Sequence, residues 1–407
     1  MARENIVAAL DIGTTKILAL VGEMDDQGEI HVVGHGVSAA EGLRRGVVVD
    51  MDKTVKSIRK AIDDAQLVSG VLIDRISVGI AGEHIYSINS HGVVAVSRTD
   101  NEITAADVRR AVDAARTIAI PVDREIIHVI PQEYSVDDQT NVHDPVGMNG
   151  VRLEVEAHIV TASVTSARNI YRALERCRLG VDHMALESLA IAEVITTPQE
   201  TSSGCVLVDI GGDITNLSVF FDGSIRHTAV IGLGGRNVTS DIAIGLRLTV
   251  EQAEALKCSH GLALASTVGA GETIEIPSAV DRTSREISRH VLGSIIEPRM
   301  EEIFALVAKE LKKSVRPELF ASGMILTGGG ALLPGTIELA EQMFDLPVRL
   351  GQLRRFASTP DDLSNSRFVT AHGLLHYGFH HEPEQLRGHG AVKRMIRRFE
   401  GWITRQF

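Results

Sequence analysis

The sequence predicts an α/β protein built as two similar halves, and three observations carry that prediction. Strand-like and helix-like segments alternate along all 407 residues, the pattern of packed α/β layers. One turn motif occurs twice, about half the chain apart. The apolar run Ile6–Leu10 enters Asp11-Ile-Gly-Thr-Thr-Lys16, and Cys205–Val208 enters Asp209-Ile-Gly-Gly-Asp-Ile-Thr-Asn216. A hydrophobic content of 44% over this length is enough to bury two cores.

Taken in order, residues 6–10, 16–22 and 29–37 read as a strand meander. Segment 52–68 has helical spacing through Val55, Ile58, Ile62 and Leu67. Strands are expected at 75–81 and 92–98, with glycines at the turns. Thr104 followed by Asp107 forms a capping pattern that opens a helix to about Ile118. Strands at 125–130 and 153–163 precede helices at 165–178 and 184–196. The second half opens with the 205–221 hairpin, a strand ending in the Gly-rich turn Gly232–Gly235, and helices at 237–246 and 250–257. After an irregular stretch to 283 comes a long helix at 285–313, interrupted near Pro298. The apolar strand Met324–Leu326 leads into Thr327-Gly-Gly-Gly330; a strand at 347–350 and a helix at 368–378 follow. Residues 381–391 read as a polar linker.

Composition narrows the function. A net charge of −12 argues against a general nucleic-acid binder. Cys177, Cys205 and Cys258 are widely spaced and read as core thiols of a reducing compartment. No signal peptide is visible, and no run of 18 apolar residues would cross a bilayer. The sequence holds no Gly-Lys dipeptide, hence no Walker A loop, and no Gly-x-Ser-x-Gly.

The repeated turns carry the chemistry. Glycine lets the backbone turn tightly and bring N–H groups to phosphate oxygens; Thr14, Thr15 and Lys16 add donors. Facing each other, the two hairpins would clamp a triphosphate. Asp11 and Asp209 would hold magnesium from opposite sides, mostly through its water shell. Gly232-Leu-Gly-Gly-Arg-Asn237 lies between a strand and a helix, and either offers helix-start N–H groups to a nucleotide or is a plain turn. Gly328, Gly329 and Gly330 suit the close approach of a flat adenosine, or a flexible loop. Glu254 and Lys257 fall one helical turn apart, within reach of ribose and base, or as a surface ion pair. Glu187 would orient an attacking water, or merely suit the helix dipole.

At the C-terminus, Val392, Met395, Ile396, Phe399, Trp402, Ile403 and Phe407 fall on one helical stripe, with Lys393, Arg394, Arg397 and Arg398 mostly off it. Residues 387–407 hold six basic side chains against Glu400, on an otherwise acidic chain. An apolar face opposite a basic one lies in the membrane interface and is drawn to anionic lipid; the alternative is a helix docked on the body.

Taken together these motifs resemble the actin, sugar-kinase and heat-shock-chaperone superfamily. Within it, Gly42-Leu-Arg-Arg-Gly-Val-Val-Val-Asp50, His128-Val-Ile-Pro-Gln-Glu-Tyr134, Gly147-Met-Asn-Gly-Val-Arg-Leu-Glu-Val155, Ile296-Glu-Pro-Arg299 and Ala371-His-Gly-Leu374 resemble the FtsA family of bacterial cell-division proteins. The resemblance implies an actin-like fold: core segments 1–84 with 161–204 and 205–226 with 304–380, an inserted subdomain at 85–160, an FtsZ-binding subdomain at 227–303, and a membrane helix at 392–407. It implies ATP with Mg2+ held by Asp11, Gly13, Thr14, Thr15 and Lys16 on one side. On the other stand Asp209, Gly211, Gly212, Asp213 and Thr215, with Gly234, Gly235, Glu254, Lys257 and Gly328 to Gly330 around the nucleoside. Arg285 and Arg299 fall in the subdomain that receives the FtsZ C-terminal peptide. The implied role is a self-polymerising tether of FtsZ filaments on the cytoplasmic face of the inner membrane, at the division site, which recruits later proteins such as FtsN. One departure stands out. The usual second loop reads Asp-Ile-Gly-Gly-Gly-Thr-x-Asp, whereas here Asp213, Ile214 and Asn216 replace its third glycine, threonine and last acid. An extra carboxylate beside the phosphates predicts nucleotide binding with at most slow hydrolysis. The competing readings are a small-molecule kinase of the superfamily and a PilM-like pilus-assembly adaptor; neither calls for the basic amphipathic tail.

Overall fold

The computed structural model describes residues 5–269, 271–277, 284–314 and 320–381. The amphipathic segment 392–407, and the linker after His381, lie outside the described residues.

Each repeated motif forms a hairpin inside a sheet. Strand Ile6–Ile12 pairs antiparallel with Lys16–Met24, and Cys205–Ile210 with Thr215–Phe221, which sets Asp209 opposite Asn216. The first sheet has six strands in the order Gly180–Leu186, Arg75–Ile80, Ile6–Ile12, Lys16–Met24, Ile30–Ala39, Phe356–Ser358. The second has five, in the order Ser224–Ile231, Thr215–Phe221, Cys205–Ile210, Met324–Thr327, Val348–Leu350. The mixture follows from the connections: hairpins are antiparallel, and strands that return after a helix are parallel.

Helices bury both faces of the first sheet. Met51–Ser69 and Val164–Arg176 close one face over Leu10, Ile58, Val78 and Leu174. Val369–His380 closes the other over Leu18, Leu20 and Ala190. Gly235–Leu246, Val250–His260 and Arg289–Ser314 pack together around Leu217, Ile242 and the fully buried Phe304. Between the halves of the first core, a four-stranded antiparallel sheet in the order Tyr86–Ala95, Arg152–Ser163, Arg124–Val136, Gln139–Val142 carries helix Ala105–Arg116. Its separate core is Ile103, Val108, Leu153 and Val155. At the expected cap, Asp107 Oδ2 accepts the Thr104 N–H at 2.9 Å.

Three expectations change. The segment 184–196 is not one helix: Gly180–Leu186 is a strand, and the helix starts at Glu187. A short apolar run carries no periodicity that separates strand from helix. The span 285–313 begins as strand Ser284–Ser288, paired with Thr273–Pro277, and helix Arg289–Ser314 then runs through Pro298. Burial of Ile296 and Met300 on either side holds it across the missing N–H. Residues 304–380 do not stay with the second half. Phe356–Ser358 pairs with strand Ile30–Ala39, and helix Val369–His380 lies on the first sheet. Gly22 makes the fit possible, since a methyl there would sit 2.7 Å from Leu375 Cδ2. Leu375 is wholly buried. Leu375→Ala should therefore destabilise the first half by about 3 kcal/mol, read as a lower denaturant midpoint with an unchanged slope.

Candidate functional site

The two hairpins meet at their turns. The Asp213 N–H donates to Thr14 Oγ1 at 3.2 Å. A methyl on Gly212 would lie 2.4 Å from Thr15 Cγ2, so glycine is required where the loops touch. Gly13 and Gly211 close their turns, where a methyl would crowd the carbonyls of Lys16 and Ile214 at 2.9 and 3.0 Å.

Charge collects behind these turns. Lys16 Nζ donates to Asp11 Oδ2 at 2.8 Å, and the ammonium lies 5.4 Å from the Phe368 ring centroid. Lys16 and Asp11 are 9% and 3% exposed. Asp209 faces them from the other half, also buried, and its Oδ2 accepts from Asn216 Nδ2 at 3.1 Å. Burial pushes the Asp209 carboxyl up to about 6, with Asp11's charge adding, while Asn216 and Lys16 oppose the shift. Glu187 opens its helix beside Gly79, where a methyl would come within 2.8 Å of Glu187 Cγ. Its carboxyl is raised well above the ordinary range, first by burial, then by the charges of Asp11 and Asp209, with Lys16 opposing. The catalytic and metal candidates Asp11, Asp209 and Glu187 thus form one cluster around Lys16. Among the described residues, no three His, Cys, Asp or Glu side chains converge as a metal cage.

The remaining predicted residues of the two halves lie around the hairpins and brace them. In the Gly-rich turn, the Gly235 N–H donates to Gly211 O at 2.9 Å and the Arg236 N–H to Gly212 O at 2.8 Å. The Gly234 N–H goes to Asn237 Oδ1 at 3.0 Å. These helix-start donors brace the second hairpin. Thr215 is wholly buried and donates to Leu233 O at 2.9 Å, holding the same turn. Lys257 Nζ contacts Glu254 Oε2 at 2.7 Å, Thr239 Oγ1 at 2.8 Å and Gly235 O at 3.1 Å, so the pair locks two helices beneath the turn. Gly328, at φ +85, makes room for Asp209, whose Oδ1 would lie 2.4 Å from a methyl there. Gly330 clears Ile210, and exposed Gly329 offers an open face. Arg285 and Arg299 lie apart from the hairpins. Arg285 Nη2 donates to Leu246 O at 2.7 Å. Arg299 grips Asp241 bidentately at 2.6 and 3.0 Å and also pairs with Glu302.

The extra carboxylate is already engaged. Asp213 Oδ2 accepts the Arg45 N–H at 2.9 Å, and Oδ1 pairs with Arg236 at 3.2 Å. Arg45 in turn reaches Glu83 at 3.2 Å. Asp213 therefore joins the hairpin to the Arg45 turn of the other half, and its charge is met by Arg236. Sequence inspection missed Arg45, Arg236 and Phe368. Arg45 sits within the quoted Gly42–Asp50 motif, but nothing local to it points at Asp213.

With this geometry in hand, comparison with known proteins places the chain. A family described as "Cell division protein FtsA" matches residues 206–373, and "SHS2 domain inserted in FTSA" matches residues 82–161. The FtsA of Pseudomonas aeruginosa is 45% identical over 379 residues, 93% of this chain and 90% of that one. That of Neisseria meningitidis serogroup B is 41% identical over 417 residues, 100% and 99%. The chain belongs to the FtsA family. Among solved structures, the PilM-PilN type IV pilus biogenesis complex matches with TM-score 0.66 at 16% identity, over 92% of this chain and 98% of that one. MreB5 of Spiroplasma citri bound to ADP matches with TM-score 0.57 at 14% identity, over 92% and 96%. The fold of this FtsA-family chain is therefore actin-like, with the four-stranded module as its insertion.

The raised Asp209 carboxyl gives a pH prediction. Its folded value, about 6, exceeds the ordinary 3.8. The fold thus favours the protonated acid, and stability from this group falls as pH rises from about 4 through 6. The nucleotide-free protein should melt higher at pH 5.5 than at pH 7.5 as far as Asp209 governs it. Asp209→Asn should flatten that difference without lowering the melting temperature at pH 7.5.

Proposed function

We propose that this chain binds ATP with Mg2+ between its two hairpins, polymerises on the inner membrane, and tethers FtsZ filaments there. The observation that carries the reading is the meeting of the hairpins over Asp11, Lys16, Asp209 and Glu187. Lys16 would bind phosphate, and Gly13, Thr14, Thr15, Gly211 and Gly212 would bring backbone and hydroxyl donors to it. Asp11 and Asp209 would hold Mg2+ through water, in keeping with an ion that retains its shell; the bound ion would supply positive charge against the phosphates. Glu187 would orient a water. Burial, with the charges of Asp11 and Asp209 adding, raises its carboxyl above the ordinary range. The exposed face of Gly329 suits the adenosine. The test is calorimetric titration with Mg-ATP. Asp209→Asn should weaken binding at least about tenfold, about 1.4 kcal/mol; unchanged affinity would remove the clamp.

Residues 227–303 would receive the acidic FtsZ tail. Arg285 bonds the Leu246 carbonyl at the end of helix Gly235–Leu246, and Ile244 of that helix is 78% exposed, so this subdomain presents both a cation and an apolar side chain. Arg299 is committed to Asp241, so reversing its charge would disturb that packing as well as any tail contact. Arg285→Glu is the cleaner probe: tail-peptide affinity should fall about tenfold with the melting temperature kept.

No described helix is long and apolar enough to cross a membrane. Residues 392–407 would instead lie along anionic lipid, with Phe399 and Trp402 at the acyl boundary and the arginines at head groups. Each basic residue contributes about 1 kcal/mol, a reversible anchor that polymerisation would strengthen by multivalency. Trp402→Glu should abolish liposome co-sedimentation and membrane recruitment of FtsZ with Mg-ATP binding retained; a destabilised variant that still pellets with lipid would overturn the tether. Self-assembly and recruitment of later proteins such as FtsN complete the reading.

A further inference from the structure

One strand of the inserted module touches both halves of the molecule. Arg124–Val136 runs past Gly180–Leu186, the outermost strand of the first sheet, and past Ser224–Ile231, the outermost strand of the second. An outermost strand carries backbone groups with no neighbour to pair them. Here two side chains do so. The Leu186 N–H donates to His128 Nε2 at 2.9 Å, within a buried environment. That contact fixes the neutral ring with its proton on Nδ1. Four residues on, Gln132 Nε2 donates to Ile225 O at 2.7 Å, and Ser224 Oγ donates back to Gln132 O at 3.2 Å. The strand bulges at Gln132, where Glu156 pairs with Glu133 but Ala157 with Pro131. A bulge re-aims the side chain it carries; without it, Gln132 would follow the ordinary alternation of the strand.

One contact lies at the site; the other reaches it along a strand, since Ile225 pairs with Phe220, at the end of Thr215–Phe221 away from Asn216. Leu186 immediately precedes Glu187, so His128 pins the backbone from which Glu187 projects. Ser224–Ile231 pairs along its length with Thr215–Phe221, the strand that carries Asn216 to Asp209. Further ties join the module to the same second-half strand: Arg226 to Glu133 at 3.1 Å, and Ser87 Oγ to Thr228 O at 3.0 Å.

We propose that His128 is a positioning residue for Glu187, and that His128 and Gln132 make strand Arg124–Val136 a strut which couples the nucleotide site to the inserted module. Any change in how the halves meet moves Leu186 relative to Ile225. One strand bonded to both must tilt with them, and the module tilts with the strand. Coupling of this kind is reciprocal: whatever orients the module also biases the site.

The inference rests on the nucleotide reading above, and the test separates the two. Amide hydrogen exchange is followed in helix Ala105–Arg116, on the far side of the module from both contacts, with and without Mg-ATP on the full chain. Melting temperature is recorded in parallel. Mg-ATP should raise the melting temperature of the unaltered protein and slow exchange in that helix. The slowing should vanish in His128→Ala and return in His128→Gln, whose amide oxygen can accept the same N–H. Gln132→Met, which breaks the opposite end, should also lose the slowing, and decides the matter should His128→Ala fail to fold. Retained slowing in His128→Ala or Gln132→Met overturns the strut. A melting shift without any slowing in the unaltered protein overturns the strut and leaves the nucleotide reading intact. No melting shift at all overturns the nucleotide reading, and the strut with it.

Discussion

One buried ammonium faces three carboxylates at the centre of this molecule. Lys16 is bonded to Asp11, and the charges of both are felt at Asp209 and Glu187. Removing charge from water is costly unless each ion finds a partner, and one lysine cannot satisfy three acids. The imbalance shows as two carboxyls held above their ordinary range. Much of the surrounding structure keeps these acids in place. Gly79 and Gly328 make room for Glu187 and Asp209, Asn216 bonds Asp209, and Phe368 covers Lys16. On the reading proposed above, such a centre would suit a cation that arrives with its own anion, as magnesium does with a polyphosphate.

The second hairpin shows how a motif's departures are absorbed. Aspartate in place of glycine at position 213 would add repulsion beside a phosphate if it stood alone. Instead the Arg45 amide and the Arg236 guanidinium take its two oxygens. The carboxylate becomes a link between halves, and the turn is held from both sides. The Gly-rich turn behind it behaves in the same way, since the Gly235 and Arg236 amides point at the hairpin's own carbonyls. Rigidity of the loop comes from backbone bonds that no residue preference announces.

What the sequence made legible was local and repeated. The paired turns, the alternation of strands and helices, the Thr104 cap and the buried strand before Gly328 are all encoded within a few residues, and each is present. The charged group at the turns was legible as well, because Asp11, Lys16 and Asp209 lie in the motif itself. The illegible parts depend on distant partners. The bonds of Thr215 to Leu233, and of Lys257 to Thr239 and Gly235, join residues that no local pattern pairs. Nothing near Leu375 predicts that it fits against Gly22, more than 350 positions earlier in the chain. Arg299 similarly looks available until Asp241 is found against it.

The return of the last helix to the first sheet has a mechanical consequence. Helix Val369–His380 lies beneath strands Ile6–Ile12 and Lys16–Met24, and its end is fastened: the His381 ring stacks on Tyr377 at 3.7 Å, and His376 binds Glu193 at 2.9 Å. The described chain therefore ends on the first half, against the sheet that carries the first hairpin. A pull at His381 would enter through the helix directly under the first hairpin and pass to the second half through the hairpin turns and strand Arg124–Val136. That path runs through the same joints that bring the turns of Asp11 and Asp209 together.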